Sequence, residues 1–429
     1  MPAISRLIIQ MAVIICVARA VGAVFRRIRQ PQVMGEMVAG IVLGPSLFGL
    51  LAPHALTVLF PTSSLGYLDA VSQIGLVLFM FLVGLGINPK ELKAQGHAAV
   101  LVSHISITAP FVLAAFLALF LYPRLSDSSV SFSNFALFMG AAMSITAFPV
   151  LARILSESHM IDTRLGTVAI SCAAVDDVTG WAVLAYIIAL VRAHGSNTPP
   201  WLTLLGSLVF VLVMVFGVKR LLRHFAAAFD RSGQLSDSML ALVVLLVLGS
   251  ALATEWLGIH LLFGAFLLGA IMPKDPGFVR YLTDKFEFIP VVVLLPTFFA
   301  LTGLRTSISL VRGPGMVFYC SMILVVAIVG KLGGSTLAAR ITGSSVREAT
   351  ALGVLMNTRG LMELVILNIG REIKVISPAL FSMMVLMALV TTFMTSPLLA
   401  WICPERLLRI EAKPVQLRDE ESPLRAAIG

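Results

Sequence analysis

Apolar residues in this chain come in long unbroken runs, about 20 residues each, separated by short polar breaks. A helix needs about 20 apolar residues to cross the hydrocarbon core of a bilayer, whereas a membrane strand shows only about ten residues of weak alternation. The pattern therefore predicts an all-α bundle of about thirteen membrane-spanning helices and no barrel. The spans fall near 5–25, 33–51, 66–87, 97–121, 132–155, 165–191, 200–218, 237–254, 260–273, 287–304, 314–339, 347–370 and 377–402. The longest stretch outside them runs from Glu405 to Gly429, shorter than the roughly 40 residues a soluble domain needs. Residues 1–402 thus read as a single membrane domain and 403–429 as a short tail.

Composition agrees with this division. The 429 residues are 58% apolar and 12% charged, against roughly 45–50% and about 25% in soluble domains. A secreted factor, a soluble enzyme and a nucleic-acid binder are excluded. The net charge of +9 is explained by topology. Counted on alternate sides, with residues at span ends given to the nearer side, 21 Lys and Arg lie on one side and 7 on the other, and Arg19, Lys331 and Arg359 lie deeper inside spans. Basic residues collect on the cytoplasmic side, so the first terminus is expected outside and the tail in the cytoplasm, in the cell (inner) membrane. Only Arg6 precedes the first apolar run, which is too long for a signal peptide and is read as a retained helix. The four cysteines lie inside apolar runs without paired spacing, so neither a disulfide framework nor a metal knuckle is indicated.

An internal repeat is legible. GEMVAGIVLGP at 35–45 matches GAFLLGAIMP at 264–273, and FMFLVGLGI at 79–87 matches FFALTGLRT at 298–306, at offsets of 229 and 219. Equivalent helices are then seven spans apart, and an odd separation makes the halves antiparallel. Inverted repeats are the architecture of alternating-access transporters.

Five ionisable residues sit deep in spans, where each costs at least about 2.5–3.5 kcal/mol. Asp176 and Asp177 lie at the middle of the sixth span, Lys331 in the eleventh, and Arg359 and Glu363 in the twelfth. Arg359 and Glu363 are four apart on one helical face and can pair; the pair serves structure or gating. Adjacent helical residues point about 100° apart, so one aspartate can meet Lys331 while the other faces a cavity. With both aspartates ionised the five charges sum to −1, and a bound monovalent cation or a proton completes them. Adjacent carboxylates titrate as a coupled pair, which sets proton and cation in competition for one of them.

Two spans carry helix breakers at corresponding places. In GAAMSITAFPVLARIL, Pro149 removes the hydrogen bond to residue 145, and Ser144 and Thr146 offer hydroxyls beside the freed carbonyls. In LGVLMNTRGLMEL, Asn357, Thr358 and Gly360 weaken the helix at mid-depth. Two interrupted helices in an inverted repeat point to a midplane substrate site.

These residues resemble a known family, the monovalent cation:proton antiporter-2 family of the sodium/proton exchanger fold. MGEMVAGIVLGPSLFG, GLVLFMFLVGL, SITAFPVLARIL, AAVDDVTGW, LLFGAFLLGAIMP and NTRGLMELV match its stretches in order, over the chain to about residue 402. The resemblance implies a homodimer whose protomers each hold a dimerisation part and a core with two crossed broken helices that moves like an elevator. It implies that Asp177 binds the ion and proton, that Asp176 is the aspartate of electrogenic members, and that Lys331 is its salt-bridge partner. Ser144 and Thr146 then lie on the unwound helix that lends oxygens to the ion. Beside these, the two interrupted spans themselves offer Pro149, Asn357, Thr358, Arg359 and Glu363 as expected unwound-helix or gating residues. The implied activity is secondary antiport of Na+ or K+ against H+ in pH homeostasis, two protons for one cation, with no cofactor and no metal beyond the transported cation. Gly86 departs from the family, many members carrying an acidic residue there.

Competing readings make different demands. A sodium-coupled symporter of an organic solute leaves Lys331 opposite an aspartate without purpose. An intramembrane aspartyl hydrolase needs its carboxylates on two facing helices, and these are consecutive on one. Among the remaining polar residues, Glu36 is expected at an interface or paired with the Arg26–Arg29 cluster. Arg19 is expected to snorkel toward that basic loop, and His104 and His260 to be packing residues near span ends.

Overall fold

The computed structural model describes residues 3–28, 30–87, 96–127, 130–158, 160, 163–193, 200–258 and 260–403, and among these regular structure is helical throughout. The tail from residue 404 onward lies outside the described residues. Fifteen principal segments build the bundle. They are α1 (Ala3–Arg27), α2 (Gln32–Leu43), α3 (Thr62–Gly86), α4 (Gly96–Leu125), α5 (Phe132–Ser144), α6 (Phe148–Glu157), α7 (Arg164–Ala193), α8 (Leu205–Ser232), α9 (Asp237–Trp256), α10 (Leu261–Ile271), α11 (Leu295–Arg305), α12 (Pro314–Ile341), α13 (Val346–Met356), α14 (Leu361–Glu372) and α15 (Pro378–Ile402). Ten helices among the described residues are long and apolar enough to cross a membrane. Two further spans are bent pairs, α13 with α14 at 41° and Pro276–Phe286 with Ile289–Arg305 at 42°, and α10 is a short apolar helix. Every predicted run therefore has its helix, and the chain is an integral membrane protein.

Polar residues open several of the helices because the first N–H groups lack intrahelical partners. Ser131, Ser236, Asp275, Ser345 and Ser377 each accept from a backbone N–H of the helix they precede, Ser345 in a full capping box with Glu348. In the interior, where water is absent, small residues let helices approach, and here they explain the repeat. A Cβ on Gly40 of α2 would strike the Phe299 carbonyl of α11, and one on Gly303 of α11 would strike the backbone of Gly40. In the other half, a Cβ on Gly84 of α3 would strike Phe266 of α10, and one on Gly269 of α10 would strike Phe81 of α3. Gly40 and Gly269 are equivalent in the sequence repeat, as are Gly84 and Gly303, so exchanging the halves converts one crossing into the other.

Helices α1, α2, α3, α9, α10 and α11 pack around these two crossings. Helices α4 to α7 and α12 to α15 pack on one another as a second group. Within the second group both predicted breaks are present: α5 and α6 are separated at 145–147, α13 and α14 at 357–360. Helix α12 carries a π turn at Val329–Gly333, which contains Lys331; such turns occur mostly where a helix serves a site.

Candidate functional site

The two breaks cross. The Ala147 N–H donates to the Thr358 carbonyl at 3.0 Å, and the Thr146 hydroxyl, whose single hydrogen is shared with Asp176, lies 3.1 Å from the Met356 carbonyl. Around the break Ile145 and Ala147 are extended, with ψ of 136° and 90°, and Pro149 is the second residue of α6, where its missing N–H costs nothing. A Cβ at Gly360 would lie 2.8 Å from Val150, so the crossing needs a small residue in the second break.

One carboxylate beside the crossing is fully engaged. Asp176 is completely buried. Its Oδ2 accepts from Lys331 Nζ at 2.8 Å, the Thr146 hydroxyl at 2.7 Å and the Ser106 hydroxyl at 2.9 Å, and its Oδ1 accepts from Ser103 at 2.6 Å. An ionised carboxylate offers about four lone-pair sites, and four groups donate to this one. Lys331, also fully buried, gives its three N–H bonds to Asp176, the Ser106 carbonyl at 3.0 Å and the Ser144 carbonyl. Neither member of the pair has a bond to spare.

Its neighbour is the opposite case. Asp177 is as deeply buried as Asp176, yet among the described residues neither of its oxygens accepts a hydrogen bond. Asp176 and Lys331 are the charged groups beside it, and the Phe148 N–H at the start of α6 points toward its carboxylate without closing a full hydrogen bond. The Asn357 Oδ1 and Thr358 Oγ1 of the second break are likewise buried without partners among the described residues. These are oxygens that a weakly hydrated cation could take, and polar atoms left unpaired in a low-dielectric interior are costly.

Arg359 does more than pair with Glu363. Nη1 reaches Glu363 at 3.4 Å, but the guanidinium also donates to the Ala142 carbonyl at 3.2 Å and the Met143 carbonyl at 2.6 Å. It thereby caps the end of α5, and its own N–H and carbonyl are tied to Thr392 at 2.9 and 2.6 Å. Ser144 contributes differently from its expected role: its hydroxyl bonds back to Gly140 at 2.5 Å within α5, and it is the main-chain carbonyl that faces Lys331.

The structure thus gathers Asp176, Asp177, Lys331, Thr146, Ser144, Asn357, Thr358, Arg359 and Glu363 around one crossing. Ser103 and Ser106 are additions, unremarked in the sequence; spaced three apart on an apolar helix, with Pro110 four further on, they form a stripe that could have flagged them. Two expectations are corrected. Arg19 does not snorkel to the basic loop: it turns inward to the Val292 carbonyl at 3.2 Å and to Glu36 at 3.4 Å. Glu36 is therefore paired with Arg19 and Gln32, not with the Arg26–Arg29 cluster, because a buried carboxylate is stabilised by donors at its own depth. His260 is buried and caps α10, accepting from Leu262 at 3.5 Å. Among the described residues no group of His, Cys, Asp or Glu is placed to hold a metal ion.

Comparison with known proteins gives one family. The model of the sodium/hydrogen exchanger transmembrane family matches residues 12–403. The chain is 44% identical over 393 residues to an Na+/H+ antiporter of Synechocystis, covering 91% of this chain and 96% of that one. It is 39% identical over 398 residues to cation/H+ antiporter 17 of Arabidopsis thaliana, and 35% over 403 residues to K+/H+ antiporter 1 of Saccharomyces cerevisiae. Each covers 92% of this chain, which spans 48% and 46% of those longer relatives. Among solved structures, the sodium proton antiporter MjNhaP1 of Methanocaldococcus jannaschii matches with TM-scores of 0.63 and 0.65 in two determinations, at 14% and 16% identity, over 92% and 97% of this chain and 96% and 99% of that one. That likeness is one of fold.

Proposed function

The chain belongs to the sodium/hydrogen exchanger family, a family of transporters and not of enzymes, and from that premise we propose that it exchanges Na+ or K+ for protons across the membrane. Asp177 is the exchanging carboxylate. The observation that carries this reading is the contrast at adjacent positions: Asp176 has four donors at bonding distance, whereas among the described residues neither oxygen of Asp177 has a donor in full hydrogen-bond geometry and only the Phe148 N–H is directed toward it. A buried carboxylate without a partner calls for a proton or a cation, and the two compete because both neutralise the same charge. The net −1 of the five buried groups supports a single monovalent occupant. Thr358, Asn357 and the opened backbone of the breaks supply neutral oxygens around it, and Lys331 holds Asp176 as a counter-charge. Two protons against one cation would make the exchange electrogenic. Alternation is carried by the group α4–α7 with α12–α15 sliding as an elevator against the group α1–α3 with α9–α11, in a homodimer whose tail is cytoplasmic.

The test is proton movement in proteoliposomes carrying an internal pH dye, with Na+, K+ or Li+ added outside. Wild type is expected to show cation-dependent alkalinisation, and Asp177→Asn to reduce it to the level of empty vesicles. Absence of proton movement with every cation across a wide pH range, in well-incorporated protein, sinks the reading. An imposed voltage that leaves the rate unchanged sinks electrogenicity alone.

A further inference from the structure

The pair Lys331–Asp176 rests on a seat made by one helix that neither belongs to. Ser103 and Ser106 are buried on α4, and their hydroxyls reach Asp176 at 2.6 and 2.9 Å. Ser106 also serves the cation, its carbonyl accepting from Lys331 at 3.0 Å. In an uninterrupted helix that carbonyl would bond to the N–H four residues on, but residue 110 is a proline inside α4 and has no N–H to give. The carbonyl is therefore free for Lys331. The approach depends on Gly330, next to Lys331, since a Cβ there would lie 2.8 Å from the Pro110 Cα. One short stretch of α4 thus offers hydroxyl donors to the anion and a released carbonyl to the cation.

We propose that Ser103, Ser106 and Pro110 are positioning residues for the exchange: the two hydroxyls hold Asp176 as the fixed anion of the site, and the carbonyl released by Pro110 holds Lys331 in its charged form. The inference rests on the antiport reading above and deepens it. Filling the lone pairs of Asp176 leaves Asp177 as the open carboxylate, so the cation has one place to go. The two kinds of contact act in opposite senses on proton release. Hydroxyl donors stabilise the state in which the pair has lost its proton, because Asp176 keeps its charge satisfied; the carbonyl stabilises the state in which Lys331 keeps it. The other titratable groups facing the pair are Asp177 and Cys172 on α7, Arg359 in the second break and Glu363 on α14, and none of them is altered by changes on α4.

The experiment compares pH profiles of Na+- and K+-driven proton movement in proteoliposomes. Ser103→Ala and Ser106→Ala are expected to move the midpoint to higher pH by about one unit, the scale of one hydrogen bond to a charged group. Ser103→Thr, which keeps the hydroxyl, is expected to return the wild-type profile. Pro110→Ala restores an N–H that competes for the Ser106 carbonyl, and is expected to move the midpoint to lower pH by up to about one unit without lowering the thermal unfolding temperature in detergent. A merely structural role would depress rates at all pH values and leave midpoints in place. That result, or shifts of both kinds in the same direction, overturns the inference while leaving antiport by Asp177 standing. A wild type that moves no protons with either cation takes down both readings.

Discussion

At the end of α5 the last three carbonyls, of Ala142, Met143 and Ser144, are taken by two cations, Arg359 and Lys331. At the end of α13, the matching point in the other half, the Met356 and Thr358 carbonyls are taken by the Thr146 hydroxyl and the Ala147 N–H. Both are negative ends of helix dipoles brought into a low-dielectric interior. One is met by full charges and the other by neutral groups. The halves share a backbone plan and divide the charge unequally: the second break lends Arg359 to the first and receives only neutral donors in return. A site of this kind has a direction, although the fold that carries it is built from near-equivalent halves.

The largest expected effect comes from removing a charge from the first break. Arg359→Ala leaves two carbonyls and the Glu363 carboxylate unanswered and should cost about 3–5 kcal/mol, as removing one partner of a buried pair does. Replacing both residues by methionine should recover most of that loss in detergent unfolding; a single variant as stable as wild type would mean the capping is incidental. Thr146→Val, which removes a donor shared by Asp176 and Met356, should cost about 1.5–3 kcal/mol. A third cation on helix-end carbonyls sharpens the contrast from outside the spans. Lys274, between α10 and the next helix, donates to the Gly84, Leu85 and Gly269 carbonyls at 2.8–3.0 Å, while burial and then the nearby Lys219 push it down to about 7. Above that value the folded chain holds fewer protons here than the unfolded one, so stability should rise with pH, by about 1 kcal/mol between pH 7 and 8. Lys274→Met should lack that rise; an equal slope in both proteins would refute it. The smallest effect is expected at Thr358, whose hydroxyl has no partner among the described residues. Thr358→Val removes a buried, unpaired hydroxyl and should leave stability unchanged or slightly raise it, so a loss as large as that at Thr146 would show a bond the geometry lacks.

Much of this was readable in advance, for a reason specific to bilayers. Backbone groups there must be satisfied within the helix, so spans declare themselves by length, and exceptions such as Pro149 or Asn357–Gly360 stand out as breaks. The five buried charges were visible for the same reason. What the sequence does not carry is which residues on a third helix face them. Ser103 and Ser106 look like ordinary small residues of an apolar run until α4 is packed against α7 and α12. The inward turn of Arg19 likewise depends on Val292, 273 residues away, and no local pattern announces so distant a partner.

The reciprocal glycine crossings have a consequence for heredity. Gly40 and Gly269 descend from one ancestral position if the halves arose by duplication, yet neither touches its sibling: Gly40 meets Gly303, and Gly269 meets Gly84. Selection acts on contacts, so the positions bound to drift together are not the ones that share ancestry. A survey of paired substitutions should find epistasis between Gly40 and Gly303, and between Gly84 and Gly269, while the sibling positions vary independently, each half having become the other's environment.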